Sequence, residues 1–314
     1  MALTLVEAAK LSNTQLQRGV IETFVQESPI LDRIPFLTIE GNAYAYNEEA
    51  ALPGVAFRSV NEAYTESTGT VNQKSESLVI LGGDADVDKF IVRTRGNLND
   101  QRAVQTRMKV KAASYKFQDT FFNGDVTVDA KAFDGLKKRL TGAQVVDAAT
   151  NGMGPVAGGH DFFDVLDNAI ARVPGINGSN GAIYANAAAI ARTKSSARRL
   201  GGVEMVREAL TQKMIATYNG IPLLDPGQTA AGAEILPQTE TQGSSSVASS
   251  IYVVKFGQDE GDKAVTGLTN GGVQAYDLGE LQEKPAYRTR IEFYTGLAVF
   301  GGKAACRIRG VLNA

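Results

Sequence analysis

The chain has 314 residues, 43% of them hydrophobic, with 32 Lys plus Arg against 34 Asp plus Glu. That length supports a sizeable core and two domains, and the balanced charge supplies no global positive field to hold nucleic acid by counterion release. The single cysteine, Cys306, excludes an intrachain disulfide and reads as a small core residue of a protein from a reducing compartment, while no apolar run approaches the ~20 residues of a membrane span and the N-terminus lacks a secretory-signal pattern.

Thr4 with Glu7 and Ser12 with Gln15 form capping boxes ahead of apolar-periodic runs, which predicts two short helices in an N-terminal arm over 1–36. In the second run Leu16, Val20 and Phe24 repeat at four-residue spacing; Ser28-Pro29 ends it, and 30–35 continues as an extended apolar strip. From 41 to 92 the chain carries more strand-forming sequence than it can pack on itself. Tyr44, Tyr46, Val55, Phe57, Val60 and Tyr64 belong to one run, Val71, Leu78, Ile80, Val87, Phe90 and Val92 to another, with Gly, Pro and acidic residues between. Two alternating runs around a polar segment predict a long two-stranded ribbon within 37–92. Such a ribbon is marginal alone in water and its edges invite another chain, so it reads as an assembly device.

Gly96-Asn97 precedes a predicted long helix over 98–122, with Val104, Met108, Ala112 and Tyr115 as its apolar stripe. Arg102, Arg107, Lys109, Lys111 and Lys116 give it a basic, solvated outer face. From 146 to 284 helix and strand alternate, as in a mixed α/β domain. The predicted elements are a helix over 160–173 with Phe162, Phe163, Leu166 and Ile170 inward, a strand at 182–185, an Ala-rich helix capped by Asn186 and a helix over 203–218. An exposed mobile loop over 229–250, a buried strand at 251–256 and a Gly-rich turn at 267–272 follow. In the last segment Tyr287, Thr289, Ile291 and Phe293 share one face and Arg288, Arg290, Glu292 and Tyr294 the other. A further strand after Gly301-Gly302 closes a terminal hairpin. With the long helix it predicts a discontinuous domain over 93–145 and 285–314, giving an α+β chain overall.

No residue set assembles into an active site. Gly152-Met-Gly154-Pro-Val-Ala157 loosely matches a dinucleotide fingerprint, but Pro155 interrupts the turn where amides should approach a pyrophosphate. The loop at 267–272 has no Lys-Ser/Thr sequel and is no phosphate cradle. His160 is the only histidine, so a zinc site is excluded and it reads as an exposed or capping residue. Glu48-Glu49 and Asp84 with Asp86 read as charge on the surface of the ribbon or as an inter-subunit contact. Catalytic, cofactor and metal residues are therefore expected to be none.

The order of elements resembles the major capsid protein of tailed double-stranded DNA bacteriophages, whose shell fold is shared with encapsulins. The resemblance rests on Glu27-Ser-Pro-Ile-Leu31 with Ile34-Pro-Phe36, the extended ribbon, the long helix and Phe133-Asp-Gly-Leu136 at its exit. It continues through Asn219-Gly-Ile-Pro222, Ile251-Tyr-Val-Val-Lys-Phe-Gly257 and Arg288-Thr-Arg-Ile-Glu-Phe-Tyr294. It covers nearly the whole chain; each motif is weak, and their order and spacing are what is specific.

The resemblance implies an N-terminal arm, an extended loop lying over a neighbouring subunit, a peripheral domain built on a spine helix (93–145 and 285–314) and an axial domain (146–284). Loops at 229–250 or 267–272 would then crowd the five-fold and six-fold axes. It implies a non-enzymatic shell subunit, assembled in the bacterial host cytoplasm and resident in the virion capsid. The partners it implies are the chain itself as pentamers and hexamers, portal and decoration proteins, and packaged DNA held by weak non-specific contact. Because the arm begins almost at Met1, a separate scaffolding protein is expected. Arg58, Glu62, Glu66, Lys74, Arg288, Arg290 and Glu292 are the expected inter-subunit contacts; a covalent cross-link from Lys74 is not expected, since no acceptor matches near the C-terminal sheet. The alternatives are an encapsulin-like compartment, separable by genomic neighbours, and more distantly a soluble α/β cofactor-binding enzyme, which predicts a small oligomer and ligand-dependent melting.

Overall fold

The computed structural model describes residues 28–95, 101–200, 204–207 and 214–313; the two N-terminal capping boxes lie outside them. In chain order the elements begin with β1 (Phe36–Thr38), β2 (Ala43–Ala51), β3 (Thr70–Ser77), β4 (Val79–Asp88), α1 (Lys89–Arg95) and α2 (Gln101–Asn123). Next come α3 (Leu136–Arg139), β5 (Val145–Asp147), α4 (Pro155–Gly158), α5 (His160–Ala171), β6 (Gly181–Tyr184) and α6 (Ala187–Leu200). The rest is built on β7 (Glu204–Arg207), β8 (Met214–Tyr218), β9 (Ile221–Leu224), β10 (Glu240–Gln242), β11 (Ser245–Lys255), β12 (Val265–Glu280), β13 (Ala286–Val299) and β14 (Ala305–Val311).

Three sheets organise these elements. A four-stranded sheet runs β1-β12-β13-β4, an eight-stranded sheet runs β5-β14-β11-β6-β9-β8-β7 with β10 on β11, and β2 and β3 form the ribbon. The terminal segments are therefore not a hairpin. β13 pairs with β12 and β4, whereas β14 crosses to pair with β11 and β5. Gly301 and Gly302, both at positive φ, make the turn that redirects the chain between sheets. β12, expected within 146–284, likewise belongs to the four-stranded sheet, so each expected domain lends one strand to the other's sheet.

Further expectations are corrected by packing. Phe90 to Val92 is helical, in α1, rather than strand. The segment expected as a helix over 203–218 is the antiparallel pair β7 and β8 where it is described. The Gly-rich turn at 267–272 lies inside β12; Gly267 is needed there because a Cβ would sit 2.5 Å from Phe36 Cε1. The loop at 229–250 is tethered, with Ile235 and Leu236 buried and β10 on the sheet. Asn186 does cap α6, its Oδ1 accepting from the Ala189 amide at 2.7 Å.

On α2 the buried stripe is Thr106, Val110, Ser114, Phe117 and Phe121, while Val104 and Met108 face outward. The sequence offers apolar residues on both sides of the first half of this helix. The side that packs is the one whose small residues allow close approach to β4, where a Cβ on Gly83 would already touch the Lys109 side chain at 3.3 Å.

The largest core joins the two main sheets. Phe117, Phe121 and Phe122 from α2 meet Ile30, Leu31, Ile34 and Phe36 on one side and Tyr184, Tyr252 and Val254 on the other. Phe122 packs α2 on the eight-stranded sheet, its ring 5.5 Å from Tyr184 and 5.0 Å from Tyr252, while Phe117 reaches Phe36 and Phe293 of the four-stranded sheet at 6.2 and 6.1 Å. At the exit of α2, the Gly135 amide donates to Gly124 O at 2.9 Å, and a Cβ on Gly135 would lie 2.5 Å from Thr120 O. This close approach accounts for the glycine of Phe133-Asp-Gly-Leu136. A second core under α5 and α6 holds Phe162, Leu166, Ile190, Ile251 and Ile308 together with Cys306, whose thiol burial pushes up to about 11.

Candidate assembly surfaces

The ribbon is held at its root and bare at its tip. β2 and β3 pair from Ala43↔Ser77 to Ala51↔Thr70, and nine strand residues reach about 30 Å. At the root, Tyr46 is buried against Phe300 with ring centroids 4.9 Å apart, and Ile39, Leu268 and Ala298 complete the cluster. The Tyr46 hydroxyl donates to Val299 O at 3.3 Å, and Tyr44 donates to Glu260 Oε1 at 2.8 Å. Burial raises the pKa of both phenols. Arg139 grips the Glu76 carboxylate with both terminal nitrogens, the Nη2 contact at 2.7 Å, so α3 clamps β3 from the side.

Beyond Ala51 the chain forms a local knot rather than a ladder. The Ser67 hydroxyl donates to Gly54 O at 2.9 Å, the Ser59 amide donates to Glu62 Oε2 at 2.9 Å, and Asn61 sits in the left-handed region at φ 70. Arg58 lies over the Tyr64 ring, 5.1 Å from its centroid, and donates to Glu62 O. Around this knot Val55 and Phe57 are fully exposed, and Leu52, Val60 and Tyr64 retain 78%, 89% and 68% of their exposure. Five large apolar side chains exposed close together in sequence at the end of a braced ribbon are an apolar surplus of the kind that marks an interaction site.

The seven residues expected as contacts fall into three groups. Arg58 and Glu62 organise the tip, and Glu66 stands exposed on it. Lys74 pairs across the ribbon with Glu48 at 2.6 Å. Arg288, Arg290 and Glu292 project from the polar face of β13, and the two arginines are already engaged inside the chain. Arg288 is in register with Asp86 and Arg290 with Asp84, and each makes a two-pronged contact, at 2.6 and 2.7 Å and at 2.8 and 3.0 Å. Glu292 accepts from the Tyr294 hydroxyl at 2.9 Å.

The two aspartates are therefore not ribbon charges; they sit on β4 and lock it to β13. The signal was present in the sequence as two alternating, opposite doublets, Asp84-Ala-Asp86 and Arg288-Thr-Arg290, which match when strands pair. The guanidinium hydrogen bonds hold both carboxyls well below the usual carboxylate range. With folded pKa values depressed, these groups stabilise the fold above the unfolded carboxylate pKa of about 3.9, and that gain is lost as pH falls through the folded values. Asp84→Asn with Asp86→Asn should thus melt below the parent at pH 7 and converge with it at the lowest pH at which the parent still folds, read by thermal denaturation across pH.

Among the described residues no group of three or more His, Cys, Asp or Glu is placed to hold a metal, and no helix is long and apolar enough to cross a membrane. His160 is exposed at the first turn of α5.

Residues 12–155 match the family described as Major capsid protein GP7. No curated protein gives a significant match. Among solved structures, the holo-SrpI encapsulin complex from Synechococcus elongatus superposes with a TM-score of 0.66 at 18% identity, covering 100% of this chain and 98% of that one. The chain has the shell fold of phage capsids and encapsulins. The capsid of an empty GTA particle matches at a TM-score of 0.63 and 12% identity over 91% and 90% of the two chains. A chain of Microbacterium phage Oxtober96 matches at 0.57 and 14%, over 91% of each.

Proposed function

We propose that this chain is the structural subunit of an icosahedral capsid enclosing a bacteriophage double-stranded DNA genome, self-assembled from pentamers and hexamers. The observation that carries the reading is the ribbon tip: five large apolar side chains held out on a braced arm, left exposed among the described residues. Burying Leu52, Val55, Phe57, Val60 and Tyr64 on a neighbour would contribute on the order of 10 kcal/mol gross, at about 1.5–3 kcal/mol per large apolar side chain. Ordering and docking losses offset part of that gain. The rigid root limits those losses, and repetition by symmetry turns a modest contact into a closed shell.

The role is structural rather than catalytic. Arg58, Glu62, Glu66 and Lys74 contribute to the ribbon contact, and the exposed edges of Arg288, Arg290 and Glu292 to the facing surface. Assembly takes place in the host cytoplasm with a separate scaffolding protein and a portal, and decoration proteins bind the finished shell. The near-neutral charge suits a wall that touches packaged DNA weakly.

A second reading, an encapsulin-like compartment, is favoured by the full-length superposition on the Synechococcus elongatus encapsulin; the family match over 12–155 favours the capsid. Phe57→Asp places a charge in the tip contact and should lower shell yield at least about tenfold with unchanged melting. Sedimentation and electron microscopy would read this. Unchanged shell yield would refute the tip as the contact, and native particles enclosing an enzyme in place of DNA would establish the compartment.

A further inference from the structure

Helices α5 and α6 lie on one face of the eight-stranded sheet, both packed on the core that holds Ile183, Leu223 and Val253. Between them runs a groove of about 520 Å³, lined by Phe163 and Asp167 from α5 and by Lys194 and Ala197 from α6. Successive residues turn about 100° around a helix. With Phe162, Leu166 and Ala169 facing the core and Phe163 and Asp167 the groove, Asp161 and Asp164 fall on the crest and flank of α5 away from the groove. By the same construction, Ala189, Thr193 and Ser196 face the core, Lys194 and Ala197 the groove, and Arg192, Arg198 and Arg199 fall on the crest and far flank of α6.

The two outer flanks of one layer therefore differ in charge: the α5 side carries Asp161 and Asp164, with Arg172 at its C-terminal end held by Asn168 and the Ala143 carbonyl, and the α6 side carries Arg192, Arg198 and Arg199. Asp161, Asp164, Arg192, Arg198 and Arg199 are all exposed, and none makes an ion pair with another described residue. Compensation of helix dipoles accounts for Asp161 in the first turn and for Arg198 and Arg199 in the last. It does not account for Arg192, in the middle of α6, or for Asp164 beyond the first turn of α5.

We propose that the Asp161 and Asp164 flank of one copy docks on the Arg192 and Arg199 flank of the next copy around the capsomer ring. This rests on the shell reading above. A ring needs a heterologous contact, with two different surfaces on each subunit complementary to one another, and opposite charge on opposite flanks supplies that complementarity and its direction. The pairing sets rotational order around the ring, while the ribbon tip supplies apolar area.

The test is a charge-swap cycle in the full-length chain, read by sedimentation and electron microscopy, with thermal melting and circular dichroism as the folding control. Asp161→Lys with Asp164→Lys, and separately Arg192→Glu with Arg199→Glu, should each lower shell yield at least about tenfold, through like-charge apposition. The fourfold variant carrying both swaps should recover yield to within about threefold of the parent. Unchanged yield from both double variants would overturn the pairing. So would folded double variants that fail while the fourfold variant also fails, or loss of duplex DNA binding by Arg192→Glu with Arg199→Glu at normal shell yield, which would make the basic flank a nucleic-acid contact. A parent chain that never forms shells would instead count against the shell reading itself.

Discussion

Replacing residues 52–69 with a two-residue Asn-Gly turn is expected to leave a soluble, folded subunit that forms no shells. Ala51 and Thr70 are direct cross-strand partners, so a two-residue turn can close the shortened hairpin there. The root loses nothing, because Tyr44, Tyr46 and Glu76 keep Phe300, Glu260, Val299 and Arg139 as partners. Melting temperature and far-ultraviolet circular dichroism should stay close to the parent. What disappears is the apolar tip, on the order of 10 kcal/mol of gross contact per subunit interface by area bookkeeping. Shell yield in sedimentation should fall below detection; shells at parental yield would show that the ribbon is not what joins subunits.

Phe122→Ala should be the most destabilising single substitution of the interior. Phe122 is fully buried and packs at once on α2, on Tyr184 of β6 and on Tyr252 of β11. Removing a buried phenylalanine ring costs about 3–5 kcal/mol, from lost burial plus the cavity left behind. Here the cavity opens between α2 and the eight-stranded sheet, so local repacking would have to move the helix against the sheet. Chemical denaturation should show the unfolding free energy falling by that amount. A loss under about 1 kcal/mol would mean that α2 and the eight-stranded sheet do not share this core as a rigid unit.

Much of the architecture was legible because it rests on local patterns. The alternation over 287–294 places Ile291 and Phe293 inward and Arg288 and Arg290 outward, as strand period dictates. The Asn186 cap, the inward face of α5 at Phe162 and Leu166, and the bare ribbon are of the same kind. What was not legible depends on partners distant in sequence. Nothing local tells β14 to leave β13 for β11, and nothing local decides that α2 buries Thr106 and Ser114 in preference to Val104 and Met108; both follow from how closely sheets and helix approach.

The contact residues show the same divide. Their charge and exposure on the β13 face were readable, but the pairing of Arg288 with Asp86 and of Arg290 with Asp84 needed the register of two strands about 200 residues apart. The tip was readable as a surplus of apolar strand residues. That Arg58 and Glu62 serve to fold the tip on itself required the left-handed turn at Asn61, which no residue pattern around it announces.

A cryo-electron microscopy reconstruction of particles formed by the full-length chain, with a scaffolding protein coexpressed where needed, tests the central claim most directly. The account predicts closed shells of five- and six-membered rings in which Val55, Phe57 and Val60 are buried against a neighbouring subunit. Shells with residues 52–69 free in solvent, or only a small discrete oligomer under every assembly condition, would contradict it.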